Sequence, residues 1–189
     1  MDGSDTPHVP HVRRATPADV PALQALIEAS ARGLSAGFYT PQEIDAAVTH
    51  VFGVDSQLVA DGTYYVIDGE GGPAAAGGWS ARRTLYGGDQ MKNAEDPRLD
   101  PATEPARIRA FFVHPAWARR GLAGALYATC ARAAWAAGFR DFELMATLPG
   151  EPFYRTLGFE VVERVTTALP GAVDVPFVRM RAPIAPPSR

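Results

Sequence analysis

The sequence predicts one mixed α/β domain, and three observations lead there. Helix-start signatures alternate with β-branched and aromatic runs along the chain instead of segregating to one half. Near the middle, an apolar run at 110–113, a glycine turn and an Ala-rich helical pattern lead to another strand-like run at 139–146. That β-α-β order implies that its two strands pair in parallel, at least locally. Two further strand-like runs then flank Leu169-Pro170-Gly171 and read as a closing hairpin.

The 189 residues, 47% apolar and 21% charged, suffice for one core without disulfide or metal staples. The elements follow in order. Residues 1–10 are polar, hold two prolines and predict a flexible tail. Residues 11–15 predict a strand. Thr16-Pro17-Ala18-Asp19 marks a helix start, with Thr16 as cap, Pro17 in the first position and an acid in the first turn. The apolar face of Val20, Leu23, Ile27 and Ala31 carries that helix to about Arg32, where Gly33 and Gly37 break it. Thr40-Pro41-Gln42-Glu43 repeats the start signal for a second helix that ends near Gly53.

Residues 63–67 are strongly strand-like, and 74–83 predict an antiparallel partner in spite of their alanine and glycine content. Residues 84–105 carry three prolines, many acids and no period, an insertion that reads either as a solvated excursion or as a substrate lid. After the central strand and turn, Leu122, Leu126, Thr129, Ala133 and Ala137 predict one helical face, with small Ala125 and Cys130 beside it. Gly138 ends that helix. A short helix over 151–156 stops at Gly158, and the hairpin strands 159–167 and 173–180 precede a Pro-rich, frayed end. The domain is thus expected over 11–182, with a second tail at 183–189.

Several function classes are disfavoured. Cys130 is the single cysteine, and His8, His11, His50 and His114 are scattered, so neither a disulfide nor a metal site is expected. A net charge of −3 does not favour nucleic acid. No apolar run approaches the roughly 18–20 residues that cross a bilayer, so no membrane partner is expected. The N-terminus lacks a basic segment followed by an apolar one, and a cytoplasmic location is the expectation.

The most informative stretch is the strand Arg107-Ile108-Arg109-Ala110-Phe111-Phe112-Val113, its short loop, and Arg119-Arg120-Gly121-Leu122-Ala123-Gly124 at the head of the long helix. A strand that feeds a glycine turn at a helix N-terminus makes an anion site, because free backbone N–H groups and the helix dipole face the ligand. A Walker loop would need a second glycine followed by Lys and Ser or Thr, and a dinucleotide fingerprint would need Gly in place of Ala123. Both fail on residues.

The stretch resembles the acetyl-CoA-binding motif of the GNAT superfamily of N-acetyltransferases, Q/R-x-x-G-x-G/A, which falls on Ala118 to Ala123 with Ala118 departing from the first position. Downstream, Phe153-Tyr154-Arg155-Thr156-Leu157-Gly158-Phe159 resembles that family's F-Y-x-x-L-G-F segment. The resemblance covers about 11–182 and implies a mixed, mostly antiparallel α/β (α+β) sheet of about seven strands. About four helices would flank it, with a splay between the fourth and fifth strands. It further implies acetyl-CoA as donor, with Phe111, Phe112 and Val113 aligning the pantetheine arm and amides of Arg119, Arg120, Gly121, Leu122, Ala123 and Gly124 holding the pyrophosphate.

A backbone N–H near Val113 would polarise the thioester carbonyl. Tyr154 would be the general acid toward the coenzyme A thiolate, and Glu143 a candidate general base, with a water chain as the alternative. The implied activity is direct acetyl transfer to a primary amine of an unidentified small molecule or protein. A non-catalytic acyl-CoA-binding sensor or interaction module is the alternative. Leu34, Phe38, Tyr39 and Trp79 either line an acceptor pocket or belong to the core, and a homodimer is an assembly common in the family.

Overall fold

The structure is a computed structural model and describes residues 10–92 and 95–187. Its strands are β1 (Val12–Arg14), β2 (Tyr64–Gly69), β3 (Gly72–Ser80), β4 (Ala106–Val113), β5 (Asp141–Ala146), β6 (Glu160–Leu169) and β7 (Val173–Pro183). Its helices are α1 (Val20–Leu34), α2 (Pro41–His50), α3 (Ser56–Ala60), α4 (Leu122–Ala136) and α5 (Glu151–Thr156). The strands form one sheet in the order β1-β2-β3-β4-β5-β7-β6. Neighbours are antiparallel except β4 and β5, which are parallel as the β-α-β order requires. This is the mixed, mostly antiparallel architecture expected from the sequence.

Each face of the sheet carries its own core. On one face α4 packs over β3 and β4, burying Leu122, Leu126, Cys130 and Ala134 with Phe142, Leu144 and Phe159. On the other, α1 and α2 bury Leu23, Leu26, Ile27, Ile44 and Ala47 with Val66, Val175 and Phe177. Among the described residues no helix is long and apolar enough to cross a membrane.

Several expectations need correction. Thr16 and Pro17 open a 3-10 turn, Pro17–Asp19, and the α-helix begins only at Val20. Asp19 accepts from the Thr16 N–H (2.7 Å) in a capping box and also takes the bidentate guanidinium of Arg13 (2.8 and 2.9 Å). Gly33 does not break α1 but lies within it: a Cβ there would come within 2.4 Å of Pro115 Cγ, so the glycine serves close packing. The buried row of α4 runs at every fourth residue, Leu122-Leu126-Cys130-Ala134, while Ala137 is exposed, because the helix crosses the sheet along that ridge.

There are five α-helices where about four were expected. The extra one, α3, is five residues long, too short for a periodic signal, and is held by Asp55 accepting from the Gln57 N–H (2.9 Å). At the C-terminus β7 reaches Pro183, and Ile184 is buried with its N–H on the Arg140 carbonyl (2.8 Å) rather than frayed. The N-terminal tail expectation falls on residues 1–9, outside the described residues, apart from Pro10.

Candidate active site

A single departure from regular pairing creates the site. β4 and β5 share only two paired positions, Ala106 with Phe142 and Arg107 with Glu143, and then separate. β5 cannot follow β4, because its whole length from Asp141 to Ala146 is paired with β7. β4 in turn bends at a bulge. Its register to β3 passes from Gly78–Arg109 to Ala76–Phe112, so three steps on β4 match two on β3.

The bulge is built by specific residues. Ala110 adopts φ +52, a conformation that an L-residue enters only when its surroundings fix it. Buried Tyr64 reaches from β2 to donate its hydroxyl proton to the Ala110 carbonyl (3.1 Å). Two glycines make room: a Cβ on Gly77 would lie 2.6 Å from the Phe111 ring, and one on Gly78 2.9 Å from that of Tyr64. The low strand propensity of β3 is therefore a packing requirement of its neighbours.

Between the diverging strands lies a cavity of about 620 Å³. At one end stands the N-terminus of α4. Arg119 (φ +64) and Gly121 (φ +78) turn the chain into the helix, and a Cβ at either Gly121 or Gly124 would meet only open space. Among the described residues, the N–H groups of Gly121, Leu122, Ala123 and Gly124 at the head of α4 have no protein acceptor, while Ala118 and Arg119 form the turn that precedes them. Such a run, with the helix dipole behind it, fits a phosphate-bearing ligand. The preceding loop is held by His114, whose Nδ1 accepts from the Ala116 N–H (3.2 Å), so this histidine caps a turn.

Deeper in the cavity stands Tyr154 of α5. Its ring is wedged among Phe111, Phe153 and Phe159, with centroids 6.4, 5.2 and 5.6 Å away. Its hydroxyl has no protein partner among the described residues, and burial raises the phenol above its ordinary pKa, so it stays protonated. Across the cleft the Val113 N–H points away from β3 onto the hydroxyl of Ser30 (3.3 Å), a buried polar residue on the core-facing side of α1.

Of the residues expected at the site, Phe111, Phe112, Val113, Arg119, Gly121, Leu122, Ala123, Gly124 and Tyr154 line this one cavity. The Phe112 ring itself turns to the opposite core, edge-on to Phe52 at 5.7 Å. Arg120 does not line it, for its guanidinium lies 4.8 Å over the Trp117 ring. Glu143 also lies outside the lining. It is buried at the last paired position of the splay, accepting from Arg179 Nε (2.9 Å) with Arg107 at 3.6 Å. Leu34 and Phe38 reach the cavity wall. Tyr39 instead donates to the Pro176 carbonyl (2.7 Å) and accepts from the Leu148 N–H (2.9 Å), and burial pushes its phenol up to about 12. Trp79 is core, edge-on to Phe139.

Residues not singled out from sequence complete the walls. Arg109, 2% exposed, donates to Asp55 (2.9 Å) and to the carbonyls of Thr84 (2.9 Å) and Gly87 (2.7 Å). Lys92 bonds the other oxygen of Asp55. Together with Gly88 N–H on Val51 O and Asp89 N–H on Val54 O, this ties residues 84–92 down. The first part of the insertion is thus a wall of the cavity, contributing Leu85, Tyr86, Gly87 and Gly88. An arginine inside an apolar strand was the signal for this network, and a serine on the apolar side of α1 was the signal for Ser30.

With this geometry in place, comparison with known proteins gives a coherent result. The family model described as an acetyltransferase (GNAT) domain matches residues 60–161. Among solved structures, a GCN5-related N-acetyltransferase of Rhodopseudomonas palustris is similar at 18% identity and TM-score 0.66, over 93% of this chain and 96% of that one. The PaiA N-acetyltransferase of Thermoplasma acidophilum, solved in complex with coenzyme A, is similar at 12% identity and TM-score 0.60, over 92% and 98%. A phosphinothricin acetyltransferase of Sinorhizobium meliloti, solved in complex with AcCoA, is similar at 19% identity and TM-score 0.58, over 93% and 89%. At these identities the likeness is one of fold. No curated protein matches the sequence.

Proposed function

Given that the chain belongs to the GNAT acetyltransferase family, we propose that it is an N-acetyltransferase that moves the acetyl group of acetyl-CoA directly onto a primary amine. One observation carries the reading: a single cavity joins a run of unpartnered N–H groups at the head of α4 to a buried, protonated phenol.

Of the amides from Arg119 to Gly124, the free ones at the head of α4 would hold the pyrophosphate, with no Cβ at Gly121 or Gly124 to obstruct it. Backbone groups of Phe111, Phe112 and Val113, unpaired on the splayed side, would align the pantetheine arm like a partial strand. Acetyl-CoA supplies an acetyl group activated as a thioester. The Val113 N–H, exchanging Ser30 for the carbonyl oxygen, stabilises the negative charge that grows there as the amine nitrogen attacks. Tyr154 donates its proton to the departing sulfur as the carbon–sulfur bond breaks, and the proton that the newly acylated nitrogen loses restores the phenol, directly or through solvent. Burial makes the phenol a weaker acid, but the thiolate it serves shares the same apolar surroundings, and burial raises the proton affinity of both. No carboxylate lines the cavity among the described residues, so the amine gives up its proton to solvent at the mouth rather than to Glu143.

The test pairs binding with turnover. Calorimetry should show acetyl-CoA binding, with a rise in melting temperature equivalent to about 2.7 kcal/mol at a hundredfold excess over Kd. Tyr154→Phe should retain that affinity and lower kcat by about 10²-fold. No binding at millimolar acetyl-CoA would overturn the reading. Binding without thiol release from any amine would favour the sensor alternative.

A further inference from the structure

We infer that the amine acceptor is an apolar, aromatic-bearing amine that enters the cavity in its neutral form. The inference rests on the acetyltransferase reading and concerns the apolar and aromatic walls of the cavity. Apart from the residues expected to hold the cofactor, the cavity is lined by Leu34, Phe38, Phe52, Leu85, Tyr86 and Phe177 among others. The aromatic members brace one another edge-on or tilted: Phe52 and Phe177 are 6.2 Å apart, Tyr86 and Phe177 5.6 Å. Tyr86 is fixed further by its hydroxyl on Thr167 (2.9 Å). A preformed wall of ring faces and edges matches an aromatic ligand by shape and quadrupole.

Charge makes the same selection. Among the described residues, no aspartate, glutamate or histidine lines the cavity, and its charged lining residues are Arg109 and Arg119. Asp55, the buried partner of the lining residue Arg109, is taken on both oxygens by Arg109 and Lys92. Asp96, which accepts from the Thr84 N–H beside Arg109, brings this cluster near neutrality. An ammonium entering here would lose water and find no carboxylate among the described lining residues, which disfavours the charged form. Glu143, the other buried carboxylate near the splay, is held by Arg179 and Arg107. A polyamine or a lysine side chain has neither a partner for its charge nor a base for its proton. A ring-bearing amine that sheds its ammonium proton before entry brings no charge into the cavity, and the one proton its nitrogen loses on acylation can return to the Tyr154 phenolate.

The experiment measures kcat/KM by thiol release with para-toluidine, phenylethylamine and spermidine between pH 7 and 9, with acetyl-CoA binding measured separately by calorimetry. Both aromatic amines should exceed spermidine by about 10²-fold at pH 7. Phenylethylamine should gain about tenfold per pH unit as its neutral fraction grows, while para-toluidine, already neutral, stays flat. Phe38→Glu, at a half-exposed rim position, should narrow the gap between phenylethylamine and para-toluidine at pH 7. Spermidine turning over as fast as the aromatic amines, or a flat profile for phenylethylamine, would overturn the inference. So would measured acetyl-CoA binding with no aromatic amine acetylated. Absent acetyl-CoA binding would instead overturn the acetyltransferase reading itself.

Discussion

Arg109 and Asp55 show how one residue pair fixes a cavity wall. Both are about 1% exposed at the side chain, and the guanidinium is surrounded by acceptors from residues 84 and 87 as well as by the carboxylate. A buried ion pair contributes little beyond a well-packed apolar substitute, yet breaking one side leaves an uncompensated charge. Asp55→Asn keeps the size and the α3 cap and removes the charge alone, so it should cost about 3–5 kcal/mol in urea denaturation. Arg109→Met added to it should cost less than the sum of the two single changes, because the stranded cation is gone. A strictly additive double variant would mean that the pair acts through packing alone. Arg109 was visible in sequence only as a polar interruption of an apolar strand. Its partner is 54 positions away, and no local pattern names it.

At the scale of the element, β3 and α1 teach the same lesson about glycine. By propensity, the Ala-Ala-Ala-Gly-Gly run of β3 is a poor strand. It pairs nonetheless, because Tyr64 on one side and the Phe111 ring on the other need the space that Gly78 and Gly77 leave. Gly77→Ala should raise intrinsic strand preference slightly yet push Phe111 and the bulge toward β5. The expected outcome is a Kd for acetyl-CoA at least tenfold weaker, equivalent to about 1.4 kcal/mol, with the far-ultraviolet circular dichroism preserved. Unchanged affinity would show that the bulge does not set the cleft. Gly33 was read as a helix stop because glycine usually is one. The proximity of Pro115, which reverses that reading, is a tertiary fact.

For the whole molecule, the buried ionisable groups set the pH window of stability. Burial raises the phenols of Tyr39, Tyr64 and Tyr154 and the Cys130 thiol above their ordinary values. A raised folded-state pKa gives stability that is complete below the unfolded value, about 8.5 for a thiol and 10 for a phenol, and is lost as pH rises beyond it. On the acid side, the hydrogen bond from Arg82 lowers Asp61, and that from Arg164 lowers Glu151. Their stability is present above about pH 4 and is lost as pH falls through the lowered values. Urea midpoints should therefore be level between about pH 5 and 8. Above pH 10 they should fall steeply, each phenol that ionises removing about 1.4 kcal/mol per unit. A midpoint unchanged to pH 11 would show that these phenols are not buried in solution.

Most of the element order, the β-α-β crossover, the glycine turn at the head of α4 and the short helix that carries Tyr154 were legible in the sequence alone. These are local properties, written as caps, periods and short motifs within a few neighbouring residues. Tertiary structure alone decided that Glu143 is held by two arginines outside the cavity, that residues 84–92 are a wall, and that Ser30 shares Val113. It also set the cavity lining, in which no carboxylate stands among the described residues. Each of these depends on which side chains meet across the sheet, and strand register and burial set those meetings over separations that no sequence window spans.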